Sequence, residues 1–269
     1  MPPFEPLSYN YVAPALRENG TLAVLKLGVP NPELVTEIEA LRAFRGDGIV
    51  RLLESDTDLG ALLIERLEPG ATLLSVEDDE EATSIAAGVM RQLWKPAPQN
   101  HPFPTAERWS LGFERLRKTF DGGTGPFPSA LVERAEGLFS ELLGSMGEPV
   151  LIHGDLHHEN ILSNSDDSSD QNGERGPWLA IDPKGLVAER EYEVGALLRN
   201  PMPRLLDTPQ PERVTAHRVA RLSEELGFDR ERIVGWGLSQ AVLSAWWSYE
   251  DHNHGWEPAI AVAEIFAGL

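Results

Sequence analysis

The stretch HGDLHHEN, residues 153 to 160, gathers three histidines, two carboxylates and an asparagine into eight positions. Two chemistries fit such a cluster. In the first, His153, His157 and His158 are ligands for a transition metal, since imidazole suits zinc and iron. A three-histidine centre usually draws further ligands from distant segments, and His101, His217, His252 and His254 form no second cluster of recognisable spacing. The second chemistry needs a hard cation held by oxygens. Asp155 and Asn160, on a loop leading into a strand, would place one carboxylate at a nucleophilic hydroxyl and one amide oxygen on a magnesium ion. The next strand candidate ends in AIDPKG, which sets Asp182 to meet the same ion. Carboxylate and amide oxygens beside phosphate oxygens are the donor set that magnesium prefers.

These residues need elements to hold them. TLAVLKLGV (21 to 29) is short, rich in Leu and Val and bounded by Gly20 and Pro30, which predicts a strand with Lys26 inside it. NPELVTEIEALRAF (31 to 44) has an Asn cap, an early proline and apolar residues at Leu34, Ile38, Leu41 and Phe44, which predicts an amphipathic helix. At about 100° per residue, Glu37 falls on its apolar side and Glu39 almost opposite. IVRLLES (49 to 55) and ALLIERL (61 to 67) read as two more strands around a turn at DTDLG. After EPG (68 to 70) long helical patterns take over, at 78 to 94, 128 to 147, 211 to 227 and 231 to 250. Strand candidates at ENILS and WLAID lie between them, joined by the polar connector SNSDDSSDQNGERG (163 to 176), which reads as a hairpin tip.

Composition narrows the partners. At 269 residues the chain lies near the size at which one core gives way to two, so two lobes are expected. Its 23 basic and 43 acidic side chains give a net charge of -20, which opposes nucleic acid and anionic lipid and favours a small cationic partner. The competing reading of that charge is a solvated surface that keeps the protein soluble. The absence of cysteine excludes disulfides, thiolate nucleophiles and thiolate metal sites. No apolar run approaches the ~20 residues needed to span a bilayer, and the start MPPFEPLSYN has neither region of a signal peptide, so a cytoplasmic protein without membrane contact is expected.

HGDLHHEN followed by IDPKG resembles the signature of the aminoglycoside phosphotransferases, which share the protein-kinase-like fold. The resemblance is closer to their streptomycin 6-kinase and hydroxyurea phosphotransferase branch. GDGIVRLL (46 to 53), LLIERLEPG (62 to 70), HGDLHHENIL, IDPKGL and LLRNP (197 to 201) occur in that branch's order and spacing, and WWSYEDHNHGWEPA (246 to 259) is similar too. The resemblance implies a two-lobed α+β fold: a small antiparallel-sheet N-lobe with one helix over 1–67, and a larger, mainly helical C-lobe over 68–269 with the catalytic loop, metal site and substrate pocket.

It also implies roles. Asp155 would be the catalytic base, and Asn160 and Asp182 would hold Mg2+ on the phosphates of ATP. Lys26 would contact the α and β phosphates and be held by Glu37. Backbone groups of Ile64 to Leu67, hence of Glu65, Arg66 and Leu67, would form the hinge that holds adenine. His153 would support the loop from within, and His157 and His158 need no ligand role. Each position has a bland counterpart: a strand lysine with a helical glutamate is commonly a weak surface pair, and Asp155 and Asp182 could each open a turn. The joint occurrence of all five residues in kinase order decides against that.

The remaining assignments are less determined. Lys184 either touches phosphate or braces its loop. Glu193 reads as a helix-start carboxylate bracing the catalytic loop. Glu250 and Asp251 are candidates for pairing with guanidinium or ammonium groups of a substrate. Trp246 and Trp247 are read as core rather than as a sugar platform. Members of the family begin with a further strand and a glycine- or serine-rich turn over the phosphates, whereas here no glycine precedes Gly20. Either Ser8 and backbone amides of LSYNYV supply that turn, or the first strand is lacking. The expected activity is transfer of the ATP γ-phosphoryl group to a hydroxyl of a small cationic acceptor, streptomycin at its 6-hydroxyl above others, by a monomer or weak dimer. The alternatives are a kinase for hydroxyurea or another hydroxyl compound, and a nucleotide-binding pseudokinase.

Overall fold

The computed structural model describes residues 2–4, 10–165 and 175–269. Ser8 and the tip of the polar connector, 166–174, lie outside the described residues. The first sheet is antiparallel with order β1-β2-β4-β3, from β1 (Tyr11–Leu16), β2 (Leu22–Leu27), β3 (Leu52–Asp56) and β4 (Ala61–Glu65). Lys26 lies in the interior strand β2, opposite Val12 of β1 and Leu62 of β4. A strand thus precedes the lysine strand, and beyond it the Phe4 N–H donates to the Val12 carbonyl at 2.8 Å.

Helix α1 (Pro32–Phe44) starts where the sequence places it: the Asn31 side chain accepts from the Leu34 N–H at 3.0 Å, and Pro32 takes a position with no N–H to satisfy. Its buried face carries Leu34, Ile38, Leu41 and Phe44 together with Glu37, whereas Glu39 is exposed and pairs with Arg42. The chain leaves α1 and crosses to the rest of the molecule. The Val50 N–H donates to the Ala180 carbonyl at 3.0 Å and the Ala180 N–H to Gly48 at 2.8 Å.

Two three-stranded sheets follow. One has order β5-β8-β9, from β5 (Pro69–Thr72), β8 (Ile161–Asn164) and β9 (Trp178–Ala180); the other, β10-β7-β6, uses β6 (Lys95–Pro96), β7 (Val150–Ile152) and β10 (Leu186–Ala188). β8 and β9 pair antiparallel on either side of the polar connector. Helices make up the remainder: α2 (Asp79–Leu93), α3 (Ala106–Thr119), α4 (Ser129–Gly144), the short α5 (Val194–Leu198), α6 (Pro211–Leu226), α7 (Arg230–His252) and α8 (Glu257–Ala267).

Helix α7 is apolar on most of its circumference and runs through the interior against α3, α4, α5, α6 and α8. Gly237 permits its close approach to α8, since a Cβ there would stand 2.5 Å from the Phe266 ring. Buried apolar side chains form one continuous cluster from Ile38 and Phe44 of α1 to Trp236 of α7 and Phe266 of α8. Among the described residues no helix is long and apolar enough to cross a membrane.

Candidate active site

A buried lysine in the middle of a strand needs carboxylates, because an unpaired ammonium away from water is costly. Lys26 has two. Its Nζ donates to both oxygens of Glu37, at 2.7 and 2.9 Å, and lies 3.2 Å from Asp182 Oδ1. Burial works to lower the Lys26 pKa, but Asp182 and Glu37 outweigh it and raise the value above the ordinary one. Asp182 stands two residues beyond the end of β9 and takes a left-handed φ of 57°, uncommon for a side chain with a Cβ. That turn leaves its carboxylate beside Lys26 and 45 % exposed, open to a further partner.

The loop of HGDLHHEN is held from beneath. Glu193, fully buried at the end of a 3-10 turn, accepts from the backbone N–H of His153 at 2.6 Å and of Gly154 at 2.9 Å. Burial raises the Glu193 pKa to about 7 even against these two donors. His153 Nε2 donates to the Ile181 carbonyl at 2.7 Å while its Nδ1 accepts from the Asp155 N–H at 3.2 Å, which fits the neutral ring. Burial pushes the His153 pKa down to about 4. The His153 carbonyl in turn accepts from the N–H groups of Lys184 and Gly185, at 2.9 and 3.1 Å, so the two motifs are joined by backbone. Gly154 has φ +85°, and a Cβ there would meet Leu186 Cβ at 3.1 Å, which explains glycine between the histidine and the aspartate.

The three histidines have separate surroundings. His153 faces Ile181, His157 Nδ1 accepts from the Glu159 N–H at 3.3 Å, and His158 is buried near Asp79 and Arg218 with its Nδ1 unpartnered. Among the described residues no three His, Asp or Glu side chains group as a metal cluster. Asn160 donates its amide nitrogen to the Asp155 carbonyl at 3.0 Å, with His157 Nε2 at 3.2 Å. Its amide oxygen is the group it can offer a cation, and an amide oxygen and a carboxylate such as that of Asp182 are donor types that suit magnesium.

Asp155 opens on a cleft of about 670 Å³ that also exposes Glu33, Lys184, Arg199, Trp247, Glu250 and Asp251. Lys184 Nζ reaches Glu33 at the start of α1, at 2.9 Å, an exposed pair across the cleft. Glu250 is gripped by both arms of Arg115, at 2.7 and 2.9 Å, so its charge is already partnered. Trp246 is buried, whereas Trp247 lines the cleft edge-on to Trp109.

At the other end, Glu65 closes β4 with its side chain bonded to the Arg51 N–H and to Arg175, whose guanidinium also donates to the Gly46 and Ile49 carbonyls. Arg66 pairs loosely with Glu68 at 3.4 Å, and Leu67 is buried. Two arginines escaped the sequence reading. Arg175 lies at the end of a polar connector, and Arg199 stands in LLRNP, 44 residues beyond Asp155, where spacing alone gives no sign that it lies 3.5 Å from that carboxylate.

Known proteins resemble this chain in sequence and in fold. The family model described as "Aminoglycoside/hydroxyurea antibiotic resistance kinase" matches residues 7–252. Streptomycin 6-kinase of Streptomyces griseus is 37% identical over 260 residues, covering 96% of this chain and 81% of the relative. Hydroxyurea phosphotransferase of Kitasatospora aureofaciens is 34% identical over 271 residues, covering 96% and 71%. In fold, the chain is similar to choline kinase LicA from Streptococcus pneumoniae, with a TM-score of 0.61 and 14% identity over 100% of this chain and 93% of that one. LicA has also been solved in complex with AMP.

Proposed function

The chain belongs to the aminoglycoside/hydroxyurea antibiotic resistance kinase family, and from that premise we propose that it transfers the γ-phosphoryl group of ATP to a hydroxyl of an aminoglycoside, streptomycin at the 6-position above others. The observation that carries the reading is the meeting of Lys26, Glu37 and Asp182 at one end of the catalytic loop while Asp155 opens on a cleft large enough for such an acceptor.

In this proposal Asp155 aligns the acceptor hydroxyl and takes its proton as the oxygen attacks phosphorus. Lys26, steadied by Glu37, holds the α and β phosphates, and backbone groups of Glu65, Arg66 and Leu67 hold adenine at a hinge between lobes of residues 1–67 and 68–269. Asn160 and Asp182 would hold magnesium, which supplies charge neutralisation on the phosphates. Asp251, whose neighbour Glu250 is engaged by Arg115, is the carboxylate better placed to receive a cationic arm of the acceptor. That engagement of Glu250 also supports a second reading, a less cationic acceptor of the hydroxyurea kind. We place the protein in the cytoplasm as a monomer or weak dimer.

The test is mass spectrometry of purified protein incubated with Mg-ATP and, separately, streptomycin, other aminoglycosides and hydroxyurea. Streptomycin gaining one phosphoryl group, with ADP in equal amount, is expected. Product from hydroxyurea alone would move the acceptor to the second reading, and ADP without any phosphorylated acceptor would contradict both.

A further inference from the structure

Helix α7 is built for the core, yet in its middle it carries Gln240, buried to 4 % exposure. A buried amide is tolerated when its donors and acceptor are used, and both ends of this one are. Its Nε2 donates to the Tyr192 carbonyl at 2.7 Å, and its Oε1 accepts from Arg199 Nη1 at 3.1 Å. The approach depends on Gly195 of α5, because a Cβ there would stand 2.3 Å from Gln240 Oε1. The other arm of the same guanidinium, Nη2, lies 3.5 Å from Asp155 Oδ1. A continuous path therefore runs from a backbone carbonyl through Gln240 and Arg199 to the carboxylate that faces the cleft.

We propose that Arg199 positions the Asp155 carboxylate for proton transfer and that Gln240 fixes Arg199 in place for that purpose. The inference rests on the phosphotransfer reading and deepens it. In the step concerned the acceptor oxygen forms a bond to the γ-phosphorus and the bond from that phosphorus to the bridging oxygen of ADP breaks. The hydroxyl proton passes to Asp155, and Arg199 stays protonated throughout. Holding one carboxylate oxygen on Arg199 directs the other to the hydroxyl. A planar two-armed cation meets Asp155 through Nη2 and Gln240 through Nη1, a spread that a lysine at this position would have to cover from one nitrogen. Because a small misplacement of a reacting group can cost about 10²-fold in rate, the contact has leverage on turnover through Asp155.

The experiment compares the wild type with Arg199→Ala, Arg199→Lys and Gln240→Leu, each checked for cooperative unfolding. With ATP and the acceptor the wild type uses, Arg199→Ala should lower kcat by about 10²-fold while KM for ATP holds. Added guanidinium ion should restore part of that kcat, Arg199→Lys should rescue poorly, and Gln240→Leu should fall between wild type and Arg199→Ala. A 13C carboxyl resonance of Asp155, assigned by its loss in Asp155→Asn, should move in both Arg199→Ala and Gln240→Leu. An unmoved resonance, or full kcat in Arg199→Ala, overturns the proposal. A wild type that phosphorylates no acceptor sinks the phosphotransfer reading instead, and the resonance still decides whether Arg199 and Gln240 position Asp155.

Discussion

At the scale of single residues, the centre is an economy of charge. Lys26 and Glu37 are both nearly buried, and a buried pair that loses one member leaves the other unpaired, which costs more than the pair contributes. Lys26→Met is therefore expected to lower stability by about 3 kcal/mol, since Glu37 and Asp182 then lose the cation they share. Lys26→Met with Glu37→Leu should recover much of that loss. Urea unfolding of the three proteins checks both statements. The histidines set a pH dependence of definite sign. Burial holds His153 near 4 and His158 near 3, both below the ordinary 6.5, so the unfolded chain binds protons that the folded one refuses. The stability these neutral rings represent is complete above 6.5 and is lost as pH falls toward 4 and then 3. Glu193, raised to about 7 from 4.5, acts oppositely, its contribution being present below 4.5 and lost as pH rises through 7. Replacing His158, whose Nδ1 has no partner, with leucine should flatten the acid limb, read as the urea midpoint against pH between 6.5 and 3.

At the scale of elements, the candidate site residues are brought together from several separate elements. Lys26 comes from β2, Glu37 from α1, Asp182 from the turn after β9, and the loop carrying Asp155 and Asn160 joins β7 to β8. Glu193 is the fastener under that loop. Removing its carboxylate with Glu193→Leu strips the partner from two buried N–H groups, at ~1–3 kcal/mol for each; amide hydrogen exchange should then quicken at His153 and Gly154 before it does in α7. The sequence made much of this legible. The Asn31 cap and the 3.6 period of α1 put Glu37 inward and Glu39 outward, and the helical patterns at 78 to 94 and 211 to 227 fall on α2 and α6. Less legible were β1, with Pro14 in its middle, and β7 and β10, each three residues long and wholly buried, where no alternation can show. The pairing of Arg115 with Glu250 and of Arg199 with Asp155 was not legible either. Each joins residues tens of positions apart, and a charged side chain carries no mark of which distant partner it will meet.

At the scale of the whole molecule, the net charge of -20 gives the cleft a field. The cleft itself is lined by four carboxylates, of Glu33, Asp155, Glu250 and Asp251, and by four cations, of Arg108, Arg115, Lys184 and Arg199, so in the proposed reading a cationic acceptor would be drawn in by the charge of the whole molecule and turned by these local pairs. Salt shortens the reach of that field from about 30 Å at 0.01 M to about 8 Å at 0.15 M. Raising salt over that range should lower kcat/KM for a polycationic acceptor and leave a neutral one such as hydroxyurea nearly unchanged; initial rates at low acceptor concentration measure it.

In the proposed reaction Asp155 takes the proton of the acceptor hydroxyl. The most direct measurement is the rate of acceptor phosphorylation by Asp155→Asn, with ATP affinity and unfolding midpoint determined on the same preparation. The substitution should leave ATP affinity and stability close to wild type and lower turnover by about 10² or more. Turnover that survives the loss of the Asp155 carboxylate would contradict that role.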